Sequence, residues 1–397
     1  MKKLVSCIIV ILLITQIPLF AFAQNINTNN TFKNIVLTKE ESQTMSLIQK
    51  TLDKNKDDVD ILRANGAYKD FLDEVSLQMD DYVSSNAHEI LKEVAKWGIS
   101  PEDSVSDIET KAQNYLNKHF NGLKIGSSDF ESLVHKYLDN EDMGTRVLAD
   151  HNLDFGPLYL YMCIYSTYVL ENEETSIMNY QNYNDSSDIS NFTMSDIAYV
   201  DSKEDFVDTA SPQILNQYVQ KYSTSSAWPK MNGEYIQNYA RNYANKFNSN
   251  FITLDKDTDC TNFASQALFN GFLPMTYTNS DKNTNGIIST KTRWFHFKTS
   301  STKYNISTSW IRVVELYDYL SPHYGVYETS KGSQMTPYLN KGFLLQGKPL
   351  IGKYKHSVIV VINNGAVQYC AHSSFRKDQP ISTFYDGFSK YRVVQTY

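Results

Sequence analysis

The chain of 397 residues is poor in cysteine, with four, and has only ten prolines and sixteen glycines. Cys7 lies in the one long apolar run, which leaves Cys163, Cys260 and Cys370 for everything after it. Three thiols over that length exclude a disulfide framework, and an odd count keeps at least one outside any bridge. No glycine-rich nucleotide-binding motif and no repeat of fixed period is present. No second long apolar run follows the first, so the remainder is expected to be soluble, with no stable membrane anchor.

What is present begins with an export pattern. Met1-Lys2-Lys3 precedes an apolar stretch from Leu4 to Phe22, broken only by Ser6, Thr15, Gln16 and Pro18. Ala21-Phe22-Ala23 offers small residues at the −3 and −1 positions of a signal-peptidase site. A membrane anchor is the competing reading. It is weaker, because Gln16 and Pro18 shorten the run and no basic stop follows. Residues 1–23 are therefore read as a removed export signal, and the product as secreted, extracellular or wall-associated. A thiol kept outside a disulfide in an exported protein calls for a reason, and reactivity is one.

Charge divides the chain. Residues 228–397 carry 19 Lys and Arg against 10 Asp and Glu, a net of +9. Residues 24–227 carry 16 against 34, a net of −18. A basic back half favours an anionic wall polymer as partner, whereas an acidic front half repels one or docks elsewhere. Two independently soluble domains explain the asymmetry equally well. The length also favours two domains. We place them at 24–227, mostly helical and of unknown role, and at 228–397.

In the front half, Thr38-Lys39-Glu40-Glu41 and Ser100-Pro101-Glu102-Asp103 look like helix starts, and Ser128-Asp129-Phe130-Glu131 opens a third helix. Residues 158–170 fit either a strand or a buried helix, and Ile197-Ala198-Tyr199-Val200 is strand-like. Past the polar stretch 223–228, Tyr235, Tyr239, Tyr243 and Phe247 recur every four residues as the face of an amphipathic helix. The segment Asp259-Cys260-Thr261-Asn262-Phe263-Ala264-Ser265-Gln266-Ala267-Leu268 predicts a short helix stopped at Gly271, with Cys260 in its first turn. His356 to Ile362 is β-branched, Asn363-Asn364-Gly365 is a hairpin turn, and Ala366 to His372 is the return strand.

A thiol in the first turn of a helix feels the partial positive charge of free backbone N–H groups, which favours thiolate. The same groups can hold the oxyanion of a tetrahedral intermediate. A histidine at the edge of a strand packed on that helix can take the thiol proton and return it to a leaving amine. Cys260 and His356 fit those roles. The hairpin should bring His372 to the same end of the sheet as His356, where it could orient the imidazole.

These residues also carry a family resemblance. Asp259-Cys260-Thr261-Asn262-Phe263-Ala264-Ser265-Gln266 resembles the signature block of the bacterial putative amidase domain family. Arg293-Trp294-Phe295, Ser309-Trp310 with Leu316 to Leu320, His356-Ser357-Val358-Ile359-Val360, and Tyr369-Cys370-Ala371-His372-Ser373 resemble its later blocks in the same order. The resemblance covers residues 228–397 and none of the front half. It extends to NlpC-like cell-wall peptidases and papain-like cysteine hydrolases. It implies an α+β fold in which the cysteine-bearing helix packs on an antiparallel sheet, after a mostly helical N-terminal region. It implies Cys260 as nucleophile, His356 as base and His372 as orienter. It also implies Asp259 as a contact for a substrate amine, and we add Trp294 as a groove-lining residue. The substrate class implied is peptide or peptidoglycan. Lys341-Gly342-Phe343-Leu344 departs from the Gly-Asp that many relatives carry before the histidine strand.

Other readings stay open. Cys260, His356 and His372 could be zinc ligands, although no short-spaced pair supports this. A buried thiol is often core packing, which is the reading for Cys163 and Cys370. Packing is also the default for Trp294 and Trp310. Nothing in the sequence requires a metal, nucleotide or other cofactor, and no nucleic-acid partner is expected. An acyltransferase would share the constellation, and a non-catalytic wall-binding module would share the fold. The acidic front half is expected to pack on the basic back half and restrain access to Cys260.

Overall fold

The computed structural model describes residues 49, 52, 56–138, 155–170, 189–222, 228–254, 259–283, 285–298, 303–372 and 375–397. The export segment 1–23, the start at Thr38 to Glu41 and the polar stretch 223–227 lie outside the described residues. The fold is α+β, with a helical N-terminal region and a C-terminal antiparallel sheet. Two compact units are formed. One takes residues up to 89 with 174–188 and 195–226, and the other takes 90–173, 189–194 and 227–397. Among the described residues no helix is long and apolar enough to cross a membrane.

Helices α1 (Lys56–Ala64), α2 (Tyr68–Ala95), α3 (Val105–His119), α4 (Ser128–Leu138), α5 (Gly156–Tyr165), α6 (Met194–Asp205) and α7 (Ser211–Tyr222) make up the front of the chain. In the first unit, Val59, Leu62, Phe71, Val75 and Met79 meet Phe206, Ile214 and Leu215 in one apolar core. The Tyr82 hydroxyl donates to Asp205 at 2.9 Å beside it.

Local chemistry moved one of the expected helix starts. Ser100 to Asp103 forms a turn, its Ser100 N–H donating to the Asp103 carboxylate at 3.1 Å. The cap of α3 is instead Ser104, which exchanges hydrogen bonds with Asp107 in a complete capping box. The strand-like piece at Ile197 to Val200 is helix, inside α6. Its β-branched residues are spaced for one buried helical face, with Ile197, Ala198 and Val200 enclosed. Residues 158–165 are helix as well: every residue of α5 is buried, so its sequence carries no amphipathic period to read.

In the second unit, α8 (Gly233–Tyr243) and α9 (Cys260–Asn270) pack on the sheet with α10 (Val313–Leu320). A small sheet of β1 (Gly286–Ile288), β2 (His296–Lys298) and β3 (Tyr304–Ser307) has the order β1-β3-β2. The main sheet comprises β4 (Gly325–Thr329), β5 (Leu344–Lys348), β6 (His356–Asn363), β7 (Ala366–Ala371), β8 (Arg376–Pro380) and β9 (Lys390–Gln395), in the order β4-β9-β5-β6-β7-β8. All its pairings are antiparallel. Leu344, Ile359, Val361, Cys370 and Val394 face α8 and α9, joined by Phe263, Ala264, Ala267 and Leu268. Leu345, Val358, Val360, Tyr369 and Val393 face the other way, onto Phe384 and Phe388 around α11 (Ile381–Gly387).

The expected hairpin is present, with Asn364 at φ 50° and Gly365 at φ 78°, the pair of positive values a two-residue turn needs. Helix α9 also starts and stops at the expected residues, but its stop has a different physics. Gly271 sits at φ −81°, and a Cβ there would lie 2.2 Å from the Ile236 side chain. The glycine serves close packing on α8, and Phe272 takes the left-handed position at φ 75°.

Candidate active site

Helix α9 is buried from Cys260 to Leu268, polar residues included. A buried polar side chain must be hydrogen-bonded, and those here tie the helix to several other parts of the unit. Thr261 Oγ1 donates to Ser357 Oγ on β6 at 3.2 Å. Asn262 donates to the Ile252 carbonyl at 3.0 Å and accepts from Trp310 Nε1 at 2.9 Å. Ser265 Oγ donates to the Trp310 carbonyl at 2.8 Å and accepts from Trp294 Nε1 at 3.2 Å. Gln266 accepts from the Tyr239 hydroxyl at 2.6 Å. The signature segment is a wiring pattern that fixes the helix to β6, to the Trp310 turn and to α8.

Cys260 heads this helix and points at the start of β6. Burial pushes its thiol up, but the His356 imidazole opposes this through its charge and a hydrogen bond. The Ser357 N–H and the Thr261 hydroxyl add to the opposition, and the net result holds the thiol below its ordinary value. The Thr261 oxygen lies 3.6 Å from the sulfur. Its single proton can serve Ser357 while the thiol is neutral and the sulfur once it ionises. Gln346 on β5 donates to Ser357 Oγ at 3.0 Å and so fixes that serine from the other side. The imidazole of His356 packs parallel to Phe388, with ring centroids 6.0 Å apart. Cys260 is 6% and His356 1% exposed, so a substrate must displace covering groups to reach them.

Three further sequence expectations meet this geometry differently. His372 is brought to Asp259 rather than to His356. One ring nitrogen, Nδ1, meets Asp259 Oδ2, and Nε2 donates to the Tyr243 carbonyl at 2.8 Å. Neither nitrogen is left to orient a second imidazole. The pairing register explains it. Ile359 lies opposite Cys370, so continuing the ladder puts His372 across from Ser357, one residue out of step with His356. A one-residue offset sends a side chain to the other face of the sheet. His372 accordingly stacks on Phe263 of α9, while His356 sits with Phe384 and Phe388.

Asp259, expected to meet a substrate amine, is fully enclosed. Its Oδ1 accepts from the Leu254 N–H at 3.2 Å and from Asn262 Nδ2 at 2.7 Å, and Oδ2 faces His372. Trp294, expected in a groove, is also enclosed, stacked on Trp310 with centroids 4.3 Å apart. Both are internal supports in this conformation, because their polar atoms already have protein partners.

The other thiols contrast with Cys260. Cys163 and Cys370 are buried and outside any disulfide. Burial pushes the Cys370 thiol up to about 12, with the nearby Asp378 carboxylate adding to it. Zinc finds no set of ligands: among the described residues no group of three or more His, Cys, Asp and Glu could hold a metal ion. The residues that sequence reasoning passed over are Thr261, Ser357 and Gln346. Ser357 was detectable in principle as the neighbour of His356, but its aim at the sulfur depends on the strand register.

Residues 230–393 match the putative amidase domain family. The match takes in both Cys260 and His356 and leaves the front half of the chain outside it. An amidase domain points to amide-bond hydrolysis. No curated protein and no solved structure matches the chain. Within the amidase-domain stretch, Cys260 is the thiol that the surrounding donors stabilise as an anion.

Proposed function

We propose that the C-terminal part is an exported, papain-like cysteine amidohydrolase that cleaves amide bonds in cell-wall peptide or peptidoglycan. The observation that carries this reading is a buried thiol held below its ordinary value by an imidazole, a backbone N–H and a hydroxyl. Burial alone disfavours thiolate, so donors that outweigh it are the mark of a nucleophile rather than of core packing.

In the proposed reaction the Cys260 thiolate attacks the amide carbon, and the carbonyl π pair moves onto oxygen. Amides at the start of α9 stabilise that oxyanion. The C–N bond then breaks as protonated His356 delivers its proton to the leaving amine, which leaves a thioester on Cys260. Next, His356 removes a proton from water, whose oxygen attacks the thioester, and the sulfur leaves as thiolate. No cofactor enters this cycle.

The wall as substrate rests on the export pattern and on the net +9 of residues 228–397. That charge, with the closed site, also supports a second reading, a wall-binding module that retains the fold. Purified walls incubated with wild type and Cys260→Ala separate the two. The hydrolase releases new amino groups that the variant does not. Salt-sensitive binding shared by both proteins, with no release by either, would replace it with the binding module.

A further inference from the structure

Aspartate is among the favoured residues for capping a helix, where its carboxylate accepts from the second or third backbone N–H of the first turn. Asp259 occupies the cap of α9 and makes no such bond. Its carboxylate is instead occupied by Leu254 N–H, Asn262 Nδ2 and the ring of His372. The usual cap geometry would bring a negative charge toward the sulfur of the very next residue and occupy amides that favour its anion.

We propose that the Asp259–His372 pair is a positioning device for Cys260, in which His372 holds the neighbouring carboxylate turned away from the nucleophile. It rests on the reading of Cys260 as a thiolate nucleophile. His372 is suited to the task because it is held on three sides. Its Nε2 donates to the Tyr243 carbonyl at 2.8 Å, its ring stacks 4.2 Å from Phe263, and Phe247 and Phe375 close on it edge-on. Both nitrogens face acceptor oxygens, so a proton lies between Nδ1 and Oδ2 whichever group formally owns it. That proton neutralises a carboxylate that is 0% exposed and one residue from the sulfur.

Other ionisable groups around the pair cannot take this place. Tyr239 on α8 feels the Asp259 charge, but its hydroxyl is committed to Gln266. His296 on β2 accepts from the Ile252 N–H, and His356 on β6 acts on Cys260 itself. His372, one residue past β7, is the group that meets the second Asp259 carboxylate oxygen, Oδ2.

The test measures the pH dependence of Cys260 alkylation by iodoacetamide in the full chain, with the modified peptide quantified. His372→Phe keeps the ring volume and removes the donor. The freed carboxylate can then swing to the helix start, and the alkylation midpoint should rise by about one pH unit, with about a tenfold slower reaction at pH 7. In Asp259→Asn/His372→Phe no charge remains, and the midpoint should return to within half a unit or so of wild type. His372→Gln, which can still donate, should stay near wild type. Equal midpoints for His372→Phe and the double variant would mean a merely structural role and overturn the proposal. If His372→Phe does not fold, His372→Leu, which also lacks a donor, and its Asp259→Asn double give the same comparison. Wild-type Cys260 that labels no faster than the denatured chain at neutral pH would instead overturn the nucleophile reading.

Discussion

Replacing His356 by glutamine should switch Cys260 from an activated thiol to a buried one. In the folded protein the thiol is pulled down by the imidazole against the upward push of burial. For two unit charges about 4 Å apart at an effective dielectric near 20, the interaction is about 4 kcal/mol, equivalent to about three pH units. Glutamine retains some hydrogen bonding but no charge, and the Ser357 N–H and Thr261 hydroxyl remain. We therefore expect the alkylation midpoint to rise by about two to three units and labelling at pH 7 to fall about a hundredfold or more. Rates would be read by mass spectrometry of the Cys260 peptide from pH 5 to 10, with the urea-denatured chain as the reference thiol. A profile identical in wild type and variant would refute the reasoning, because the imidazole would then contribute nothing to ionisation.

Two further expectations follow from buried groups. Burial lowers the His296 imidazole to about 4, and its Nε2 accepts from the Ile252 N–H at 3.0 Å, which requires the neutral ring. A histidine with a depressed folded value stabilises the fold above its unfolded value near 6.5 and loses that contribution as pH falls toward the folded value. Urea midpoints should therefore drop between pH 7 and pH 4 by the equivalent of about 3 kcal/mol, a drop that His296→Gln should largely remove. Trp294→Phe should cost about 1–3 kcal/mol in the same assay, since it empties space beside Trp310 and removes the indole N–H from which the buried Ser265 oxygen accepts. Cys260 labelling in the folded fraction should be unchanged by it, and a selective loss of labelling would return Trp294 to the site.

Features set by local chemistry were legible in the sequence. The start of α9 follows from apolar spacing after Asp259, and the hairpin follows from Asn364-Gly365, whose positive φ values match the turn. The pairing of Cys260 with His356 was legible as residue types at a helix start and a strand start. What escaped was register and burial. His356 and His372 do share one end of the sheet, but the two-residue turn fixes an offset that puts them on opposite faces. Asp259, assigned through the resemblance, and Trp294, assigned as an aromatic that could line a groove, were placed on a surface that the tertiary structure closes. Residues 158–165 were ambiguous because all-round burial removes the alternation that separates helix from strand, and residues 197–200 read as strand-like because so short an apolar piece shows no helical period.

The most direct measurement is peptide mapping after the native chain meets one equivalent of iodoacetamide at pH 6. Cys260 should carry essentially all of the label, because its thiol is held down while burial pushes Cys370 up to about 12. Label spread over Cys163, Cys260 and Cys370, or a Cys260 peptide left unmodified, would contradict the claim that this sulfur is the nucleophile.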